Sequence, residues 1–124
     1  MTKTVSLLFV ALLLLSACGG NSTPVPAAAP NLGRVWHEKE GPWEGTWTRR
    51  GDTSSFDAVW RNPEGVEISD LVTFESMSGQ EVTLYRQGTR GRYHGTLSSD
   101  GTAITDGRAD WFSAADSWSA TIEK

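Results

Sequence analysis

The chain predicts an all-β fold: a small antiparallel up-and-down meander of seven or eight strands, closed as a barrel or strongly rolled. Three observations carry this. Short runs that alternate apolar and polar residues recur from about Trp36 to Lys124, and turn residues break them at close intervals. Helical periodicity is absent from the same stretch. All six tryptophans fall within it, as a module this small needs large side chains to build a core.

The elements ahead of the domain come first in order. Residues 1–17 read as an export signal, with Lys3 and the α-amine as its positive start. Val5 to Leu15 is almost unbroken apolar sequence, but at ~1.5 Å per residue it reaches only ~17 Å, short of a bilayer core. Leu15-Ser16-Ala17-Cys18 follows and resembles the lipobox of bacterial lipoproteins. That resemblance implies cleavage before Cys18, a diacylglyceryl thioether on its sulfur and an acyl chain such as palmitate on its new N-terminus. Several acyl chains, at ~0.8 kcal/mol per buried methylene, make a lasting anchor. Gly19, where an aspartate would resemble an inner-membrane retention signal, points to the periplasmic leaflet of an outer membrane if the organism has two membranes.

Residues 18–35 form the tether. Gly19 to Pro30 is built of small residues and prolines, which bury too little to fold and favour extended backbone. Once residues 1–17 are removed, 10 basic and 15 acidic side chains remain. An acidic module of this kind argues against a phosphate-backbone partner, so no nucleic acid is expected. Cys18 is the single cysteine, which excludes an internal disulfide and a multi-cysteine metal site.

The domain spans 36–124. Its expected strands are 43–50, 54–61, 66–76, 80–88, 91–98, 102–112 and 117–123, separated by turns such as Asn62-Pro63-Glu64-Gly65 and Ser99-Asp100-Gly101. Loops this short join antiparallel neighbours. Alternation places Trp43, Gly45 and Trp47 on one face, with Phe56, Ala58, Trp60, Val72, Phe74, Val82, Leu84, Tyr93, Gly95 and Leu97. Ala109, Trp111, Trp118, Ala120 and Ile122 complete it, the glycines leaving room for bulky neighbours. Trp36 is expected ahead of the first strand, in a segment that folds across one barrel end as a plug or leaves the ring exposed at a mouth.

Trp43-Glu44-Gly45-Thr46-Trp47 resembles the opening of calycin-type barrels, and Tyr93-His94-Gly95-Thr96-Leu97 is similar to their glycine-and-aromatic strands. The resemblance to lipocalins and avidins implies a barrel and a binding role. It also implies a late basic residue packed across the first tryptophan, for which Arg108 is the candidate.

Catalysis has little to work with. The two histidines, His37 and His94, have no arranged spacing for a metal, and His94 falls on the outward face. Carboxylates such as Asp106 and Asp110 suggest an acid/base pair, but acids flanking a turn are ordinarily solubilising. No enzyme, metal or cofactor is expected beyond the covalent lipid. Strict alternation turns both Arg86 and Asp70 inward, as a core ion pair or as contacts to a polar ligand, unless a bulge returns one to solvent. Arg49, Arg50, Arg61, Arg90 and Arg92 fall on outward positions or strand ends, as a solvated face or a docking patch.

These features give an envelope lipoprotein, attached to the membrane by its lipid, whose β-domain serves a non-enzymatic binding or assembly role toward an envelope protein or a small ligand. The alternative is a miniature calycin-like carrier of an apolar or amphipathic molecule, lined by Trp43, Trp47, Trp60, Arg86, Tyr93 and Trp111. A hydrolase of envelope polymers ranks third, for want of a nucleophile and base.

Overall fold

In the computed structural model, which describes residues 31–124, the domain is a closed barrel of eight antiparallel strands in simple sequence order. These are β1 (Val35–Glu40), β2 (Trp43–Arg49), β3 (Ser55–Arg61), β4 (Glu67–Ser78), β5 (Glu81–Arg86), β6 (Gly91–Leu97), β7 (Ala103–Ala109) and β8 (Trp118–Glu123). The segments expected to be an export signal, a lipobox with Cys18 and a tether as far as Pro30 lie outside the described residues. Seven of the strands follow the alternation of the sequence closely. The eighth is β1, which closes the barrel by pairing with β2 on one side and β8 on the other.

That strand corrects two expectations. Trp36 neither precedes the first strand nor plugs an end; it sits in the wall of β1, opposite Trp47 and Ile122, and is fully buried. Val35-Trp36-His37-Glu38-Lys39-Glu40 alternates like any strand, but two of its three inward positions are glutamates, so a search for apolar alternation passes over it. The folded unit also reaches back to Leu32, which joins the core and whose carbonyl accepts the Trp36 indole N–H at 2.6 Å.

Aromatic rings fill the interior. Trp47 is the hub: Trp36 stacks on it at 5.7 Å and 12°, Trp118 at 5.7 Å and 27°, and Tyr93, Trp60 and Phe56 close around it. Its own indole N–H finds no acceptor among the described residues. Leaving such a donor unpaired costs about 1–3 kcal/mol, which the burial of so many rings offsets. Close approach explains the inward glycines: a Cβ on Gly45 would stand 2.8 Å from the Trp60 ring, and one on Gly95 2.5 Å from Ile104.

One irregularity shapes the wall. β7 carries an extra residue, Asp106, in the left-handed region at φ 52°. Alternation carried back from Ala109 would turn Ile104 outward; the bulge restores it to the core. Trp118 seals this place by donating its indole N–H to the carbonyls of Arg108 (2.9 Å) and His94 (3.1 Å).

The turns at 41–42, 62–66, 87–90 and the longer loop 110–117 share one end of the barrel. The opposite end, with the turns at 50–54, 79–80 and 98–102, is packed beneath by Leu32, Trp36 and Phe56.

Candidate functional site

The end that carries the 110–117 loop gathers the charged interior. Alternation on β1 brings Glu38 and Glu40 inward above Trp36; β4 contributes Asp70, β5 Arg86 and β6 Tyr93. Arg86 and Asp70 face one another as strict alternation predicts, Nε to Oδ2 at 3.0 Å, each side chain only 12% exposed. The bulge in β4 lies further along, between Phe74 and Ser76, and does not turn Asp70 outward. Asp70 is held in turn by the backbone N–H groups of Leu71 (2.8 Å) and Gly88 (3.0 Å).

From this pair a chain of hydrogen bonds crosses the mouth. Arg86 Nη1 donates to the Tyr93 hydroxyl at 3.3 Å, that hydroxyl donates to Glu40 Oε2 at 2.9 Å, and Trp111 Nε1 donates to Glu40 Oε1 at 3.3 Å. The guanidinium lies 4.0 Å over the Trp60 ring and 5.6 Å from that of Trp111, a cation between two indole faces. Burial lowers the Arg86 pKa, but Tyr93, Asp70 and Glu40 more than offset this and raise it, so the residue stays charged. Burial, and then Glu40, push the Tyr93 phenol upward.

With Glu40 and Ile68 of the mouth, Glu38 is one of the residues that the sequence reading missed. It is 2% exposed, accepts the Trp60 indole N–H at Oε1, and has no partner for Oε2 among the described residues. Burial first, and then the nearby Glu40 carboxylate, push its pKa up to about 8. A carboxyl that stays protonated at neutral pH lessens the cost of burying it. The signal was available in the two-residue spacing of Trp36, Glu38 and Glu40.

Above this network opens a cleft of about 190 Å³, lined by Glu40, Trp43, Trp60, Ile68, Arg86 and Trp111. Four of the six residues expected to line a ligand site therefore meet here: Trp43, Trp60, Arg86 and Trp111. Tyr93 lies beneath, tied in through its hydroxyl. Trp47 is apart from the cleft, because it packs at the centre of the filled interior. Arg108 faces outward and exposed and does not cross the first tryptophan; Arg86 lies over Trp60 instead.

The outer surface offers a larger but weaker candidate. A shallow groove of about 740 Å³ runs over β3, β2, β1, β8 and β7, lined by outward residues such as His37, Lys39, Thr46, Arg61 and Thr121. Its charges pair at exposed positions: His37 with Glu123 at 3.2 Å, Lys39 with Glu44 at 3.8 Å and Arg61 with Glu67 at 2.7 Å. Pairs of this kind stabilise little and present no desolvated group. Three of the other outward arginines are engaged as well. Arg50 binds Asp57, Arg92 binds Glu75, and Arg49 holds the Asp52 and Thr53 carbonyls of the β2–β3 turn. His94 faces outward and meets Asp110 at 3.2 Å, while Asp106 serves the bulge. Comparison with protein-family models, curated proteins and solved structures finds no match to the chain.

Proposed function

We propose that this protein is a lipid-anchored envelope component whose barrel binds, without chemical turnover, a small group at its aromatic mouth. The observation that carries this reading is the mouth itself: a charged arginine, 12% exposed, set between tryptophan faces at the floor of a cleft. Buried charge is costly, and its placement where a ligand could reach it fits recognition better than support of the wall. The filled interior favours the mouth over an enclosed cargo, which sets the carrier alternative second. The sequence before the domain supplies the anchor in this reading. Lipid on Cys18 confines the module to the membrane, and the tether lets the mouth search neighbouring envelope components at high effective concentration.

Cys18→Ser tests the anchor. The variant is expected in the soluble rather than the membrane fraction, with the acyl mass lost from the N-terminal peptide and the near-ultraviolet aromatic spectrum unchanged. Continued membrane attachment without acylation would reject the lipoprotein reading.

A further inference from the structure

We infer that the mouth cleft takes one neutral, polyhydroxylated sugar ring, stacked on tryptophan and hydrogen-bonded between Arg86 and Glu40; this rests on the reading of the mouth as the binding face. Size sets the first limit. A space of about 190 Å³ is roughly the share of six waters and below the ~300 Å³ of usual small-molecule pockets, so it suits one ring at a chain end or branch.

Charge sets the second. Arg86 gives Nε to Asp70 and Nη1 to Tyr93, which leaves Nη2 for the cleft, with no partner among the described residues. Glu40 stands across from it, also lining the cleft. An anionic ligand would meet the Glu40 carboxylate, and its attraction to Arg86 is already answered by Asp70 at 3.0 Å. A cationic ligand would meet the guanidinium. A donor and an acceptor side by side suit a hydroxyl, which both accepts and donates. A plain acyl chain would cover Arg86 Nη2 and leave that donor unpaired.

The walls set the third. Trp43, Trp60 and Trp111 with Ile68 offer apolar faces, and Trp111 stands 36% exposed at the rim. Such faces match the C–H side of a pyranose, whose hydroxyls then point along the ring edge toward Arg86 and Glu40.

The test uses the full chain in a sugar-free zwitterionic detergent. It is titrated with the methyl glycosides of glucose, galactose, mannose and N-acetylglucosamine, and followed by saturation-transfer NMR and indole fluorescence. At least one glycoside is expected to bind through its ring protons, and Trp111→Ala to weaken it at least tenfold. Glu40→Gln provides a second variant, expected to weaken the same glycoside while leaving the near-ultraviolet spectrum intact. If none of the four binds, or if they bind Trp111→Ala equally well, the sugar assignment is overturned. Benzoate, phosphate and tetramethylammonium separate the two levels. Trp111-dependent binding of one of these in place of the sugars overturns the sugar class but keeps the mouth; no Trp111-dependent binding of any probe overturns both.

Discussion

Glu38 makes the barrel sensitive to pH through one side chain. In the unfolded chain a glutamate of ordinary pKa, 4.5, is ionised at neutral pH; in the barrel, burial and Glu40 hold its proton to about 8. Between those values the folded state binds a proton that the unfolded state lacks. Stability is therefore highest below the unfolded pKa, falls as pH rises toward 8 and levels off beyond it. The slope is up to about 1.4 kcal/mol per pH unit for a single group. Neighbours act on the same carboxyl in opposite senses: Glu40 raises its pKa, the Trp60 N–H and Arg86 lower it, and its own charge raises that of Tyr93. Urea midpoints measured from pH 5 to pH 9 should fall to about pH 8 and then level off in the wild type, and be nearly flat in Glu38→Gln, which keeps the acceptor for Trp60 and removes the ionisation. Parallel slopes in the two proteins would assign the pH response elsewhere.

At the scale of elements, the β7 bulge and Trp118 work as one device. A Cβ on Gly107 would lie 2.2 Å from the Trp118 carbonyl oxygen and 2.6 Å from its indole nitrogen, so Gly107→Ala must push β8 away and break the indole bonds to Arg108 and His94. Such overpacking should cost about 3 kcal/mol, seen as a lower urea midpoint at constant slope. Gly79→Ala is the control: it sits in open space at φ +59°, and should lose only ~1 kcal/mol through backbone strain. Equal losses would deny the bulge its role. The same elements show what was legible in the sequence. Strict two-residue alternation located seven strands, the inward Trp47, Trp60 and Trp118 and the Asp70–Arg86 pair, because outside the bulges of β4 and β7 those strands keep phase from turn to turn. β1 was illegible because Glu38 and Glu40 occupy core positions that only the assembled neighbours, Trp60 and Tyr93, make tolerable. Ile104 was hidden by the bulge, since one inserted residue reverses the phase and nothing local but an Asp-Gly pair announces it. Arg86 over Trp60 joins β5 to β3 across β4, a contact set by strand register and the curvature of the wall rather than by any spacing along the chain.

For the whole molecule, closure is the property on which both the fold and the mouth depend, and β1 is the strand that provides it. β1 pairs fully with β2 and β8, and brings Trp36 to the core and Glu38 and Glu40 to the polar network. Without it, β2 and β8 would present unpaired N–H and C=O groups along their length, an invitation to join other chains. Direct pairing of β2 with β8 would shrink the barrel to seven strands, around a core already filled by Trp47, Trp60 and Trp118. A chain that begins at Trp43 should therefore form oligomers in light scattering and lose the near-ultraviolet signal of the stacked indoles, whereas one that begins at Asn31 should remain a folded monomer. A synthetic peptide of residues 31–42, added to the shorter chain during refolding, should enter between β2 and β8 and restore that signal, as strand addition at an open edge does elsewhere. A monomeric, native-like chain without β1 would mean that the wall closes by another pairing. The cleft would then have formed without Glu40, and its place as the acceptor opposite Arg86 would pass to another group.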